Sequence, residues 1–184
     1  KTVDCNPLVV TDADYCLMTV DIPDDLAAAG ALVNIRYGTA DDGPNAWPKR
    51  KAFVLDVLEA HDPDVVGIQE ALRFQLDQIV GALPRYAEIG VGRTDGEENG
   101  EYSAILYDGG RFSVDAHGTF WLSDTPDVVG STFSPDQLCP RIVTWAELTS
   151  VATGRTLFVF NTHFDTYHGD EVHERSAALL ADKI

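Results

Sequence analysis

Apolar positions along this chain follow two rhythms. Short unbroken apolar runs bounded by Gly, Pro, Asp and Asn read as buried strands, and stretches with apolar residues three and four apart read as helices. The run at 32–37 predicts a strand, followed by a polar loop at 39–47 rich in Asp, Gly, Pro and Asn. Pro48 opens a helix through residue 60, with Phe53, Val54, Val57 and Leu58 at helical spacing. Asp62-Pro63-Asp64 is a turn, and 65–68 a buried strand that ends in Gln69-Glu70. A helix over 71–83 carries Leu72, Leu76, Ile79 and Val80 on one face. Strands follow at 86–91, 102–107, 112–122, 141–148 and 156–160, and an amphipathic helix occupies 172–184. Ahead of all this, 8–10 and 15–22 read as short strands around the Asp12-Ala13-Asp14 turn signal, and Asp24-Asp25 as a capped helical turn or loop. Strand, helix, strand, helix and then a run of strands predicts a layered α/β domain with mixed sheets.

Polarity changes abruptly at three strand ends. Apolar runs deliver Asn34, Glu70 and His163, the last in the series Leu157-Phe158-Val159-Phe160-Asn161-Thr162-His163-Phe164-Asp165. Ligands of open α/β sheets bind at the carboxyl ends of strands. One carboxylate, one amide and one imidazole there suit a site for Mg²⁺ and a phosphate. Mg²⁺ takes one or two carboxylates and completes its shell with water and phosphate oxygens. An imidazole donates to a phosphoryl oxygen as charge builds on it. The structural alternative for His163 is a strand-end residue that packs or caps a loop. Lys49, Arg50 and Lys51 in the first turn of a helix oppose its macrodipole. Such a local misfit points to charges that serve something else, although solvated lysine is the commoner explanation.

Length and charge narrow the function classes. The 184 residues suit one domain with a real core. Thirty acidic against 13 basic residues give a net charge of −17, and lysine is scarce. Such a surface repels polyanions, which disfavours long duplex DNA as a partner. Being Asp-rich and Lys-poor, it also suits high salt, where self-repulsion is screened. No apolar run reaches membrane-span length, and no basic-then-apolar leader opens the sequence. Cys5 and Cys16 could pair in a secreted protein, leaving Cys139 odd, and no Cys/His spacing matches a structural zinc site.

An ordered series of motifs goes further. It comprises Asn34-Ile35-Arg36-Tyr37-Gly38, Asp42-Gly43-Pro44-Asn45-Ala46-Trp47-Pro48-Lys49-Arg50-Lys51, Val65-Val66-Gly67-Ile68-Gln69-Glu70 and Gly92-Arg93-Thr94-Asp95-Gly96. Gly100-Glu101-Tyr102-Ser103-Ala104-Ile105-Leu106-Tyr107, Gly118-Thr119-Phe120-Trp121-Leu122-Ser123-Asp124-Thr125-Pro126, Pro140-Arg141-Ile142-Val143-Thr144-Trp145 and Asn161-Thr162-His163-Phe164-Asp165 continue it. In this order they resemble the endonuclease/exonuclease/phosphatase superfamily, the DNase-I-like metal-dependent phosphoesterases, and above all its bacterial, often exported branch. The resemblance implies a four-layered α/β/β/α sandwich with its site at one rim of the paired sheets. It implies an Mg²⁺- or Mn²⁺-dependent phosphoester hydrolase, either phosphodiesterase or phosphomonoesterase, acting on a small or single-site phosphoester. Glu70 matches the family's metal-binding glutamate, Asn34 the asparagine near metal and scissile phosphate, and His163 the histidine that contacts the phosphate. Asp165 takes an orienting role, and Arg141, Tyr102, Glu101 and Arg36 take supporting or substrate-facing ones. Structural alternatives stand beside these: Arg141 as an ion-pair partner, Tyr102 as a packing residue. The resemblance also implies a secreted or periplasmic location in a bacterium, with a cytoplasmic one as the alternative.

Two departures accompany it. The family's later Gly-Asp-x-Asn and Ser-Asp-His motifs are not among these residues, and His61, His117, His168 and His173 read as surface groups instead. Residues 32–184 are therefore expected to form the amino-terminal two-thirds of such a domain, with a further segment or chain completing the fold. Residues 1–31 are expected to be an extension or insertion, because Leu17-Met18-Thr19-Val20 resembles the family's lead-in to the Asn34 motif yet lies well before it. The alternative function is a non-catalytic remnant of the same fold that binds a phosphorylated ligand.

Overall fold

The computed structural model describes residues 16–21 and 29–184, with backbone only for the first of these stretches. Two four-stranded sheets face one another. One contains β1 (Cys16–Asp21), β8 (Thr156–His163), β7 (Ile142–Ser150) and β6 (Phe112–Trp121) in that order, all antiparallel. The other contains β2 (Gly30–Asn34), β3 (Val65–Ala71), β5 (Tyr102–Asp108) and β4 (Tyr86–Ile89), with β2 parallel to β3 and the remaining pairs antiparallel. Helices α1 (Trp47–His61) and α2 (Arg73–Ala82) follow β2 and β3, and α3 (Gly169–Lys183) follows β8.

The layering follows from alternation along the strands. Successive side chains point to opposite faces. Val65, Leu32, Ile105, Ala146, Leu148, Leu157 and Val159 thus meet between the sheets in one core. Val66, Ile68, Ala104 and Leu106 turn outward onto Trp47, Leu58, Leu76 and Ile79 of α1 and α2. On the far side Phe120, Val143 and Phe160 pack with Leu180 of α3. The order is helices, sheet, sheet, helix, the four-layered α/β/β/α sandwich that the motifs imply.

Element boundaries differ from expectation where local chemistry intervenes. The strand expected at 32–37 runs from Gly30 and stops at Asn34, because Arg36 adopts a positive φ of 59° and leaves the ladder. Helix α2 starts at Arg73, since Ala71 still pairs with Tyr102 in the sheet. Helix α3 starts earlier than predicted, at Gly169. Of the expected early elements, the strand at 8–10 and the turn at Asp24 lie outside the described residues, as does Cys5. The extension is not all appendage: Cys16–Asp21 is an edge strand paired in register with β8, Cys16 opposite His163.

Candidate functional site

The site begins with a fault in β3. Regular alternation turns Val65, Gly67 and Gln69 toward the opposite sheet and would aim Glu70 outward at the helices, as it does Val66 and Ile68. Between Gln69 and Ala71 the register with β5 slips: Gln69 pairs with Ser103 but Ala71 pairs with Tyr102, leaving Glu70 as the extra residue of a β-bulge. Glu70 takes a left-handed φ of 61°, a conformation that costs an L-residue energy. Beyond the bulge the parity is reversed, so that Ala71 packs against the helix-side core. The bulge re-aims Glu70 toward the rim between the sheets.

Two other strand ends meet it there. Asn34, closing β2, donates from Nδ2 to Glu70 Oε1 at 2.8 Å. The Tyr37 amide donates to Oε2 at 3.3 Å, and Arg36 Nη1 stands 4.0 Å from the same oxygen. His163, closing β8, places Nε2 3.3 Å from Glu70 Oε1 and Nδ1 3.0 Å from the Phe164 carbonyl. Both ring nitrogens thus face oxygen acceptors. The His163 contact, with help from Asn34 and the Tyr37 amide and against the effect of burial, holds the Glu70 carboxyl down at about 2. It is therefore ionised across the physiological range.

Beneath this triad lies a polar bridge that sequence reasoning missed. Gln69 and Asn161 are fully buried. Gln69 Nε2 donates to Asn161 Oδ1 (3.0 Å) and to the Thr162 carbonyl (2.9 Å). Asn161 Nδ2 donates to the carbonyls of Ile68 (3.1 Å) and Ala104 (2.7 Å). The bridge ties the two sheets together one step below Glu70 and His163. Alternation could have revealed it, since the phase that puts Val65 and Leu157 inside puts Gln69 and Asn161 inside too.

Asp165 organises a second cluster. It is buried and accepts from the amides of Tyr167 (2.7 Å) and His168 (3.0 Å) and from Gln137 Nε2 (3.2 Å), with Arg141 Nε 3.9 Å away. Burial raises the Asp165 carboxyl, but these hydrogen bonds and the Arg141 charge outweigh it and hold it at about 2. His168 Nδ1 lies 3.1 Å from Asp165 Oδ1, a contact that raises the imidazole above its ordinary value, and its Nε2 lies 3.0 Å from the Asp136 carbonyl. His173 Nε2 contacts the Asp165 carbonyl. The expectation that His168 and His173 are plain surface groups is thus corrected: both are half-buried braces of the Asp165 loop.

The remaining predicted residues fall in two places. Arg36 and Arg141 border the clusters just described. Tyr102 and Glu101 face the loop over 92–101: the Tyr102 hydroxyl donates to the Glu97 carbonyl (3.0 Å), its ring lies under Arg73, and Glu101 pairs with Arg93 at 3.0 Å. No hydrogen bond or ion pair described joins these two to Glu70.

No protein-family model matches the chain. An endonuclease/exonuclease/phosphatase from Bacteroides vulgatus superposes on 85% of the chain with a TM-score of 0.78 and 39% identity. This is an endonuclease/exonuclease/phosphatase fold. A Bacteroides thetaiotaomicron mannosyl-6-phosphatase of the same fold shares 37% identity over 84% of the chain, TM-score 0.76. An uncharacterized protein of Acanthamoeba polyphaga mimivirus is 26% identical over 124 residues, 65% of this chain. The chain spans 59% and 57% of the two bacterial structures and 46% of the viral protein. Among the described residues no group of three or more His, Cys, Asp or Glu is gathered as a metal cage, and no helix is long and apolar enough to cross a membrane.

Proposed function

We propose that this chain carries the phosphate-facing half of a metal-dependent phosphoester hydrolase acting on small or single-site phosphoesters. One observation carries the assignment: a strained bulge delivers an ionised carboxylate, against the alternation of its own strand, to an amide and an imidazole from two other strands. Left-handed non-glycine residues persist where something over-determines them, and they cluster at functional sites. The likeness to a sugar phosphatase supports the phosphoester chemistry, and a charge of −17 weighs against long nucleic acid.

The donor set fits Mg²⁺ or Mn²⁺. Glu70 is deprotonated, as a ligand must be, and a hard cation accepts a single carboxylate when water and substrate phosphate complete its shell. Glu70 would hold the ion, with Asn34 beside it. When bound, the cation supplies charge neutralisation for the phosphate. The chain's own residues do the rest. His163 Nε2 donates to a non-bridging phosphoryl oxygen, where charge builds as water attacks phosphorus and the ester oxygen departs. Asn34 Nδ2 orients the phosphate, and Arg36 and Arg141 contribute positive charge at its border. Asp165 keeps Arg141 and the loop after β8 in place.

The test is a substrate panel of sugar phosphates, p-nitrophenyl phosphate, bis-p-nitrophenyl phosphate and short oligonucleotides, with Mg²⁺ or Mn²⁺ and with chelator. Metal-dependent turnover of the small esters is expected, together with weaker Mg²⁺ binding by Glu70→Gln in calorimetry. Equal Mg²⁺ affinity for wild type and Glu70→Gln overturns the metal assignment. Phosphate binding without turnover favours the non-catalytic phospholigand-binding alternative.

A further inference from the structure

Helix α1 starts against its own dipole. Arg50 lies in its first turn, and Asp and Glu are absent there. The guanidinium is half-buried and tied to backbone carbonyls. Its Nε and Nη2 donate to the Ile35 carbonyl (3.2 and 3.0 Å), and Nη2 also to the Arg36 carbonyl (2.7 Å). Nη1 donates to the Asn45 carbonyl and stands 3.7 Å from Asp42 Oδ2. Gln75 Nε2, from α2, reaches the Arg36 carbonyl from another side at 3.1 Å.

Those carbonyls belong to the turn that leaves β2. The Ile35 amide still bonds to the Gln69 carbonyl (3.1 Å), the last rung of the ladder. One residue later Arg36 is left-handed, at φ 59°. That conformation brings the Cβ of an L-residue against the following carbonyl and is disfavoured for arginine. Within the turn, Asn34 Oδ1 accepts from the Arg36 amide (3.0 Å), which leaves Nδ2 directed at Glu70. The same kink brings the Tyr37 amide to the other Glu70 oxygen. Both donors thus depend on a backbone shape that the local sequence disfavours and that Arg50 grips by two successive carbonyls.

We propose that Arg50 is a positioning residue that holds residues 34–37 in this kinked shape and so presents Asn34 and Tyr37 to Glu70. A planar fork with five donors serves several carbonyls at once; a lysine ammonium is a point charge on a flexible stem and does not. The charge opposing the dipole is retained because its partners lie off the helix.

The test reads the turn itself. In ¹H–¹⁵N NMR, Arg50→Gln and Arg50→Lys are compared with wild type for solvent exchange of the Tyr37 amide and the Asn34 carboxamide, with the amides of β7 as reference. Exchange at both sites is expected to rise tenfold or more, the factor that about 1.4 kcal/mol of lost closure gives, while β7 is unchanged. Arg50→Lys keeps the charge and the aliphatic stem, so it carries the test if Arg50→Gln fails to fold. Wild-type exchange in Arg50→Lys overturns the proposal. The catalytic consequence rests on the phosphoesterase assignment: kcat is expected to fall about 10²-fold, the cost of misplacing a reacting group by about 1 Å, with KM nearly constant. Should no phosphoester be turned over by wild type, that assignment fails, and the exchange data still decide for or against Arg50.

Discussion

The bulge at Glu70 makes a prediction that inverts an ordinary stability rule. Glu70→Gly and Glu70→Ala both delete the carboxylate and orphan the same donors, Asn34 Nδ2, the Tyr37 amide and His163 Nε2. Their difference therefore isolates the backbone. Alanine at φ 61° keeps the Cβ clash of the left-handed region, about 1–2 kcal/mol. Glycine escapes the clash but adds about 0.4–1 kcal/mol of unfolded-state entropy to overcome. Net, Glu70→Gly should be the more stable variant by about 0.5–1 kcal/mol. For a domain of this size each kcal/mol moves Tm by roughly 2–4 °C. Urea unfolding followed by tryptophan fluorescence, with Trp47 and Trp121 both buried as reporters, measures the difference directly. The same pair at Glu147, a β7 position without a positive φ, should show the usual order, alanine above glycine. Equal or greater stability for Glu70→Ala would mean that the bulge is not strained, and the inference from strain to chemistry would fall with it.

Other expectations follow from the same geometry. His163→Ala should lower kcat by roughly 10²–10³ with KM nearly unchanged, measured beside a thermal melt; a change in KM alone would make His163 a uniform binder of substrate. Asn161→Leu, close in size, removes three hydrogen bonds between the sheets and leaves buried carbonyls bare, at about 1 kcal/mol or more each, so a loss of about 3–5 kcal/mol in urea unfolding is expected; a loss under about 1 kcal/mol would show that the amide bridge is idle. Glu70 and Asp165 both sit near 2 in the folded chain, below their ordinary values of 4.5 and 3.8. Depressed carboxyls stabilise the fold above the unfolded value, so stability should be complete above about pH 5 and fall between there and pH 2, with Glu70→Gln and Asp165→Asn each flattening the slope.

Much of the fold is legible because most strands obey one phase. Leu157 and Val159 announce which face of β8 is inside, and the outward Phe158 and Phe160 leave room for a helix on the other side. The three candidate site residues Asn34, Glu70 and His163, which the fold brings into contact, are legible for a related reason: a buried strand has no need of a polar ending. Less visible were groups whose role lies in distant partners. Nothing local in Arg50 says that its guanidinium turns back to carbonyls 14 and 15 residues earlier. His168 resembles any loop histidine until the fold brings Asp136 to its far nitrogen. The boundary errors at residues 34–37 and 71–73 have one source as well. Two left-handed non-glycine residues, Arg36 and Glu70, break the regular pattern where propensity alone would extend it.

The bulge and the amide bridge explain each other. On β8 the residues that cross to the other sheet are Asn161 and His163, two apart, as period-two alternation demands. Their partners on β3 are Gln69 and Glu70, only one apart. A regular β3 would offer Ala71 to His163, and its Glu70 would lie under α1 and α2. Slipping the register by one residue after Gln69 sends Ala71 to the helix-side core and brings the carboxylate to the imidazole. The bridge at Gln69 fixes the two sheets at the last regular rung, so that the slip reorients Glu70 instead of dissipating along the strand. Local rules and global fold disagree at this step, and such disagreements are expected at functional sites. A deletion of Glu70 would restore a regular strand and keep the Gln69–Asn161 bridge, yet leave no carboxylate facing His163. Such a variant should unfold no more easily than Glu70→Ala and should bind Mg²⁺ no better than Glu70→Gln.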